Sequence, residues 1–166
     1  MGMYGQWLRV SSAELARAKT DPAWAGDFAR AMLGGPAEPD VTQCRAFSTD
    51  KAWHALAYLL HRRGFPVDLV FGEQPLSTGE QLDWGYGPPR YLSPAQVNLA
   101  AAELVTITGE DLVIGVEPAE LTRAQIYPNV WDRPDGLPWV TAQLAGVRTW
   151  FGAAAAAGDA VLCWID

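Results

Sequence analysis

Asp50 and His54 stand four residues apart, and His61, the second of the chain's two histidines, follows seven after His54. If residues 49–61 form one helix, Asp50, His54 and His61 fall within about 40° of one another, with Tyr58 at their edge. Trp53, Leu56 and Leu60 make an apolar stripe beside them. A carboxylate one turn before a histidine can hydrogen-bond the ring, fix its tautomer and raise its pKa, which is the arrangement of an acid/base pair. A purely architectural reading is equally concrete. Asp50 would cap the helix, and His54 would be a partly buried ring satisfied by a neighbouring group. Metal chemistry fits poorly. Two histidines two turns apart are separated by about 10 Å along the axis, too far for one zinc ion, and Asp50 with His54 supplies only a pair of ligands.

Other chemistries lack their motifs. Neither G-x-x-x-x-G-K-[ST] nor G-x-G-x-x-G occurs. Gly85-Tyr86-Gly87-Pro88-Pro89-Arg90 has two glycines at a suitable spacing, but the prolines lack the amides a phosphate nest needs. G-x-S-x-G and H-E-x-x-H are also absent, and no cofactor is expected.

Bulk properties narrow the partners. The 166 residues carry a net charge of −7, so a phosphate backbone would be repelled and nucleic acid is not an expected partner. The densest basic group, His61-Arg62-Arg63, falls at a helix end, where cations stabilise the dipole. Cys44 and Cys163 form no C-x-x-C, so neither a disulfide framework nor a structural zinc site has its ligands. No apolar run is long enough to span a membrane, and the first residues have no signal-peptide pattern. A cytoplasmic protein is expected. Eight tryptophans imply an aromatic seam in the core or an aromatic-lined cleft.

The elements that must position these residues follow from local signals. Residues 3–10 read as a strand. Ser11-x-x-Glu14 is a capping box opening a helix to about Lys19, and Asp21-Pro22 restarts one that Gly34-Gly35-Pro36 ends. Residues 34–47 read as an irregular, cleft-forming loop. Ser48, Thr49 or Asp50 then caps the central helix, which Gly64 closes. Residues 66–72 read as a short strand or extended segment, and 72–90 as loop. Ser93-Pro94-Ala95-Gln96 is a strong helix start. Thr108-x-x-Asp111 and Glu117-Pro118 open shorter helices. Pro138 opens the last long one, with Val140, Leu144, Val147 and Phe151 on one stripe and Gly158 as its stop. Residues 160–165 are apolar on both faces, so they predict a strand central in a small sheet. Strands near both termini with helices between predict a single α+β domain over 1–166, with a small mixed or antiparallel sheet that includes both terminal strands and is packed by several helices.

Five segments together resemble a known family. They are Met1-Gly2-Met3 with the Ser-x-x-Glu-Leu helix after it, Asp50-Lys51-Ala52-Trp53-His54-Ala55-Leu56, Gly85-Tyr86-Gly87-Pro88-Pro89-Arg90-Tyr91-Leu92-Ser93, Ile126-Tyr127-Pro128-Asn129-Val130-Trp131, and Gly158-Asp159-Ala160-Val161-Leu162. In this order the chain is similar to the YfbM-like family, a bacterial domain of unknown function. The resemblance implies one α+β domain from a bacterial cytoplasm and supplies no activity. It selects Asp50, His54, Tyr86, Arg90, Tyr127 and Trp131 as a candidate cleft or polar network, with Trp53 as a structural anchor.

Two functions stay open. In one, the chain is a binding or interaction protein without catalysis, anchored to another protein by exposed Trp84, Tyr86 or Trp131. In the other, it is an enzyme or small-molecule binder. His54 would then be the acid or base, Asp50 its orienting partner, Arg90 an anion clamp, and Tyr86 and Tyr127 the walls.

Overall fold

The structure is a computed structural model that describes residues 2–78 and 83–166. Met1 of the first family segment and positions 79–82 of the expected 72–90 loop lie outside the described residues. Among the described residues five strands form one antiparallel sheet: β1 (Gly5–Val10), β2 (Ala46–Asp50), β3 (Gln74–Pro75), β4 (Arg90–Leu92) and β5 (Ala160–Ile165), in the order β2-β1-β5-β4-β3. The two terminal strands pair over their whole length, from Gly5 opposite Ile165 to Val10 opposite Ala160. β5 is therefore central, as its two apolar faces imply.

Those faces serve two cores. Trp7 of β1 and Val161, Cys163 and Ile165 of β5 pack on α3 (Trp53–Arg62), α4 (Pro94–Val105) and α7 (Gly136–Ala157). Leu8 and Val10 of β1 and Leu162 and Trp164 of β5 pack on the small residues Ala18 of α1 (Ser12–Thr20) and Ala25 and Ala29 of α2 (Pro22–Leu33). Alternation along a strand thus feeds a helical layer on each side of the sheet. An aromatic seam fills the larger core. Trp7 stacks on Phe47 and Trp150, with centroids 5.9 and 5.8 Å away, and meets the edge of Phe151 at 5.0 Å.

The helix starts follow their local chemistry. Reciprocal capping boxes join Ser11 to Glu14 and Ser93 to Gln96, and a third joins Thr108 to Asp111 at the head of α5 (Gly109–Val113). Pro22 and Pro118 open α2 and α6 (Pro118–Arg123) at the position where a missing N–H costs least. Gly158, at φ 71°, ends α7 in the left-handed conformation.

Three expectations are corrected. Gln74–Pro75, within the expected 72–90 loop, pairs with β4 as edge strand β3. Residues 46–50 are strand β2 rather than the end of a loop and a helix cap. Ser48 and Thr49 donate their hydroxyls to the Gly5 carbonyl, so side chains that spell a cap in sequence serve the sheet. α3 begins only at Trp53, after Ala52, with no side-chain cap. Residues 66–72 are turn rather than strand. Asp68 Oδ1 accepts the Phe71 N–H and the Asp68 carbonyl accepts that of Gly72, whose φ is 81°.

Candidate functional site

His54 sits one residue into α3, half-buried, with its ring parallel to that of Trp53 at a centroid distance of 4.8 Å. Its Nδ1 accepts the backbone N–H of Tyr127 at 3.0 Å. A backbone amide can only donate, so Nδ1 carries no proton, and in the neutral ring the proton is on Nε2. Burial holds the imidazolium below its usual range. His54 is therefore a neutral ring that presents an N–H. It is not poised as a base, because freeing Nε2 of its proton would move that proton to Nδ1 and break the bond to Tyr127.

The surrounding residues close a compact node. Trp53 Nε1 donates to the Met3 carbonyl at 3.1 Å, and the Tyr127 hydroxyl accepts the Met3 N–H at 3.1 Å. The Trp53 and Tyr127 rings stack at 5.9 Å. Trp131, fully buried, donates its indole N–H to the Ile126 carbonyl at 2.7 Å, fixing the turn that presents Tyr127. The approach to β1, the head of α3 and the 126–131 loop are locked together through these side chains.

The remaining candidates do not join this node. Asp50 lies at the end of β2 with φ 50°, exposed, and its N–H donates to Ser48 Oγ. It is outside α3, so the helical four-residue spacing that would set its carboxylate beside His54 does not form. Arg90 is turned to the loop after Phe71, where Nε donates to the Gly72 carbonyl at 3.0 Å and Nη2 to the Glu73 carbonyl at 2.8 Å. Tyr86 is 56% exposed, and its backbone N–H donates to the Ile165 carbonyl. Trp84 is half-buried against Trp164.

A pocket of about 400 Å³ opens beside His54. One wall is the α3 face bearing His54, Tyr58 and His61, the other the 65–73 segment with Phe65, Asp68, Phe71 and Glu73. Of the six candidate residues only His54 lines it. The second wall was hidden in sequence because Val67-Asp68-Leu69-Val70-Phe71 has the β-branched and aromatic composition of a strand. The available signal was Asp68 followed by Gly72, an Asx turn ending in a positive-φ glycine. Glu73 clasps that turn by accepting the Asp68 N–H at 2.6 Å. Arg90 holds its end through the Gly72 and Glu73 carbonyls.

Arg62 and Arg63, at the end of α3, are engaged elsewhere. Arg62 binds Glu120 at 2.8 Å and the Gly115 carbonyl at 3.0 Å, and Arg63 donates to the Asp111 carbonyl. Tyr58 donates to Glu120 at 2.7 Å, and that carboxylate raises the phenol's pKa. Cys163 is buried under the sheet, and burial pushes its thiol well above the usual range. Among the described residues, no group of three or more His, Cys, Asp or Glu is placed to hold a metal ion. No helix among them is long and apolar enough to cross a membrane. The pocket can hold and orient a ligand; it displays no activated nucleophile.

No curated protein matches the chain. The fold is similar to the crystal structure of YfbM from Escherichia coli, a protein of unknown function. The TM-score is 0.68 at 15% identity, over 98% of this chain and 99% of that one, a likeness of fold alone. Residues 1–164 match the family model described as a domain of unknown function (DUF1877), and the chain belongs to that family.

Proposed function

We propose that this chain is a cytoplasmic bacterial binding domain without catalytic activity, and that its ligand occupies the pocket between α3 and residues 65–73. The observation that carries the reading is the bond from the Tyr127 N–H to His54 Nδ1. It commits the one histidine of the Trp53–Tyr127 node to a donor role on Nε2. In this reading Trp53, Tyr127 and Trp131 hold His54, and Arg90 holds the opposite wall. Asp50 and Tyr86 lie outside the site. A volume of about 400 Å³ with mostly apolar walls and few polar groups is the usual form of a small-ligand site. Both cysteines are free thiols, which suits a reducing compartment.

The test is an amide-shift titration with 2-phenylethanol, a neutral aromatic probe. The reading predicts shifts at His54, Tyr58, Val70 and Phe71. Shifts confined to other surfaces, or none at millimolar probe, contradict it. A second reading rests on the exposed Tyr86 ring. There the chain binds another protein through the 83–89 segment, and Tyr86→Ala abolishes that complex without touching the pocket.

A further inference from the structure

The pocket's formal charges are of one sign. Asp68 and Glu73 both line it. Each uses one carboxylate oxygen on the turn itself: Asp68 Oδ1 takes the Phe71 N–H at 3.0 Å and Glu73 Oε1 takes the Asp68 N–H at 2.6 Å. Each bond occupies one oxygen, and among the described residues neither carboxylate is in an ion pair. The nearby guanidinium groups do not supply the balance. Arg62 is ion-paired to Glu120, Arg63 donates to the Asp111 carbonyl, and Arg90 is committed to the Gly72 and Glu73 carbonyls. His54 is neutral for the reason already given. His61 also lines the pocket, exposed at the last turn of α3.

The rest of the wall is aromatic. Phe65, Tyr58 and Phe71 line the same space, and Phe71 remains 39% exposed there although its edge packs on Trp53 at 5.7 Å. Aromatic faces and carboxylates both attract a cation, and the aromatic faces also accept an apolar stem. A carboxylate or phosphate ligand would instead meet two negative charges, with the His54 and His61 imidazoles as the basic groups of the wall. The whole chain adds to that bias, with its net charge of −7.

We infer that the pocket between α3 and residues 65–73 takes a small organic amine. Its ammonium group would sit toward Asp68 and Glu73, and its apolar or aromatic body against Phe65 and Phe71. The inference rests on the pocket reading above and adds the charge of the ligand to it. His54 Nε2–H then serves an acceptor elsewhere on the same ligand.

Three probes of one shape separate the two claims: 2-phenylethylammonium, 2-phenylethanol and 3-phenylpropionate, each titrated into the whole chain at low salt with amide shifts as readout. The expected order is ammonium, then alcohol, then carboxylate. Binding of the ammonium should weaken as sodium chloride rises. Asp68→Asn with Glu73→Gln keeps an amide oxygen as acceptor for each turn N–H and removes both charges. That pair should weaken the ammonium about three- to tenfold and leave the alcohol unchanged. If the carboxylate binds at the same residues as tightly as the ammonium, or the double variant binds the ammonium unchanged, the charge assignment is overturned and the pocket reading stands. If none of the probes shifts residues of the pocket, both fall together.

Discussion

Replacing His54 with alanine removes two supports at once. The Tyr127 N–H, part-buried and bonded at 3.0 Å, loses its acceptor. A buried donor left unpaired costs about 1–3 kcal/mol. The ring stacked on Trp53 at 4.8 Å is also lost. Such pairs contribute about 0.5–1.5 kcal/mol. Alanine is the better helix former and returns about 0.5 kcal/mol in α3. The net expectation is a loss of about 1–4 kcal/mol, or roughly 2–16 °C in Tm for a chain of this size. Urea unfolding followed by tryptophan fluorescence measures it. His54→Phe separates the two terms, since it keeps a ring over Trp53 but cannot accept the Tyr127 N–H; it should cost about 1–3 kcal/mol. The difference between wild type and His54→Phe also depends on pH. Burial depresses the folded-state pKa of His54 below the ordinary 6.5, so the unfolded chain takes up the proton first. The contribution of the neutral ring is complete above pH 6.5 and fades as pH falls through the folded-state pKa. The advantage of wild type over His54→Phe should therefore shrink on acidification. If both variants unfold within about 0.5 kcal/mol of wild type, the scatter of neutral surface changes, the node has no structural weight and the reasoning fails.

Two further outcomes test its surroundings. Arg90→Ala should speed hydrogen exchange at Phe71 and Gly72, because the Gly72 and Glu73 carbonyls lose their donors. Arg90→Lys should recover only part of the protection, since an ammonium does not reproduce the fork; unchanged exchange in Arg90→Ala would contradict this role. In native protein a thiol reagent should label half-buried Cys44 well before buried Cys163, and equal labelling rates would show that the sheet does not shield Cys163 as described.

Much of the fold was legible because its signals are local. Ser11 with Glu14, Ser93 with Gln96, and Thr108 with Asp111 fix helix starts within four residues, and the double-faced apolar run at 160–165 announces a central strand. α7 begins at Gly136, two residues before the expected Pro138, because the first helical N–H groups have no intrahelical partner and proline is tolerated among them. The misread elements are those where one local signal imitates another. Ser48-Thr49-Asp50 has the composition of a cap, and only the Gly5 carbonyl 43 or 44 residues away reveals it as sheet. The 66–72 turn carries a strand's β-branched and aromatic composition. The candidate site was less legible for the same reason. His54 was identifiable as a residue at the border of a buried face, but its partner is 73 residues distant and is a backbone amide, which no side-chain pattern records. Asp50, the partner suggested by spacing, requires a helix that starts three residues too late to include it.

The most direct test of the central claim is the nitrogen-15 NMR signature of the His54 imidazole across neutral pH. The bond from Tyr127 requires a neutral ring with an unprotonated, acceptor-type Nδ1 and a protonated Nε2, titrating below the ordinary histidine range. A ring protonated on Nδ1 with Nε2 bare, or one that titrates at or above that range, would return His54 to the role of an acid or base and contradict the account.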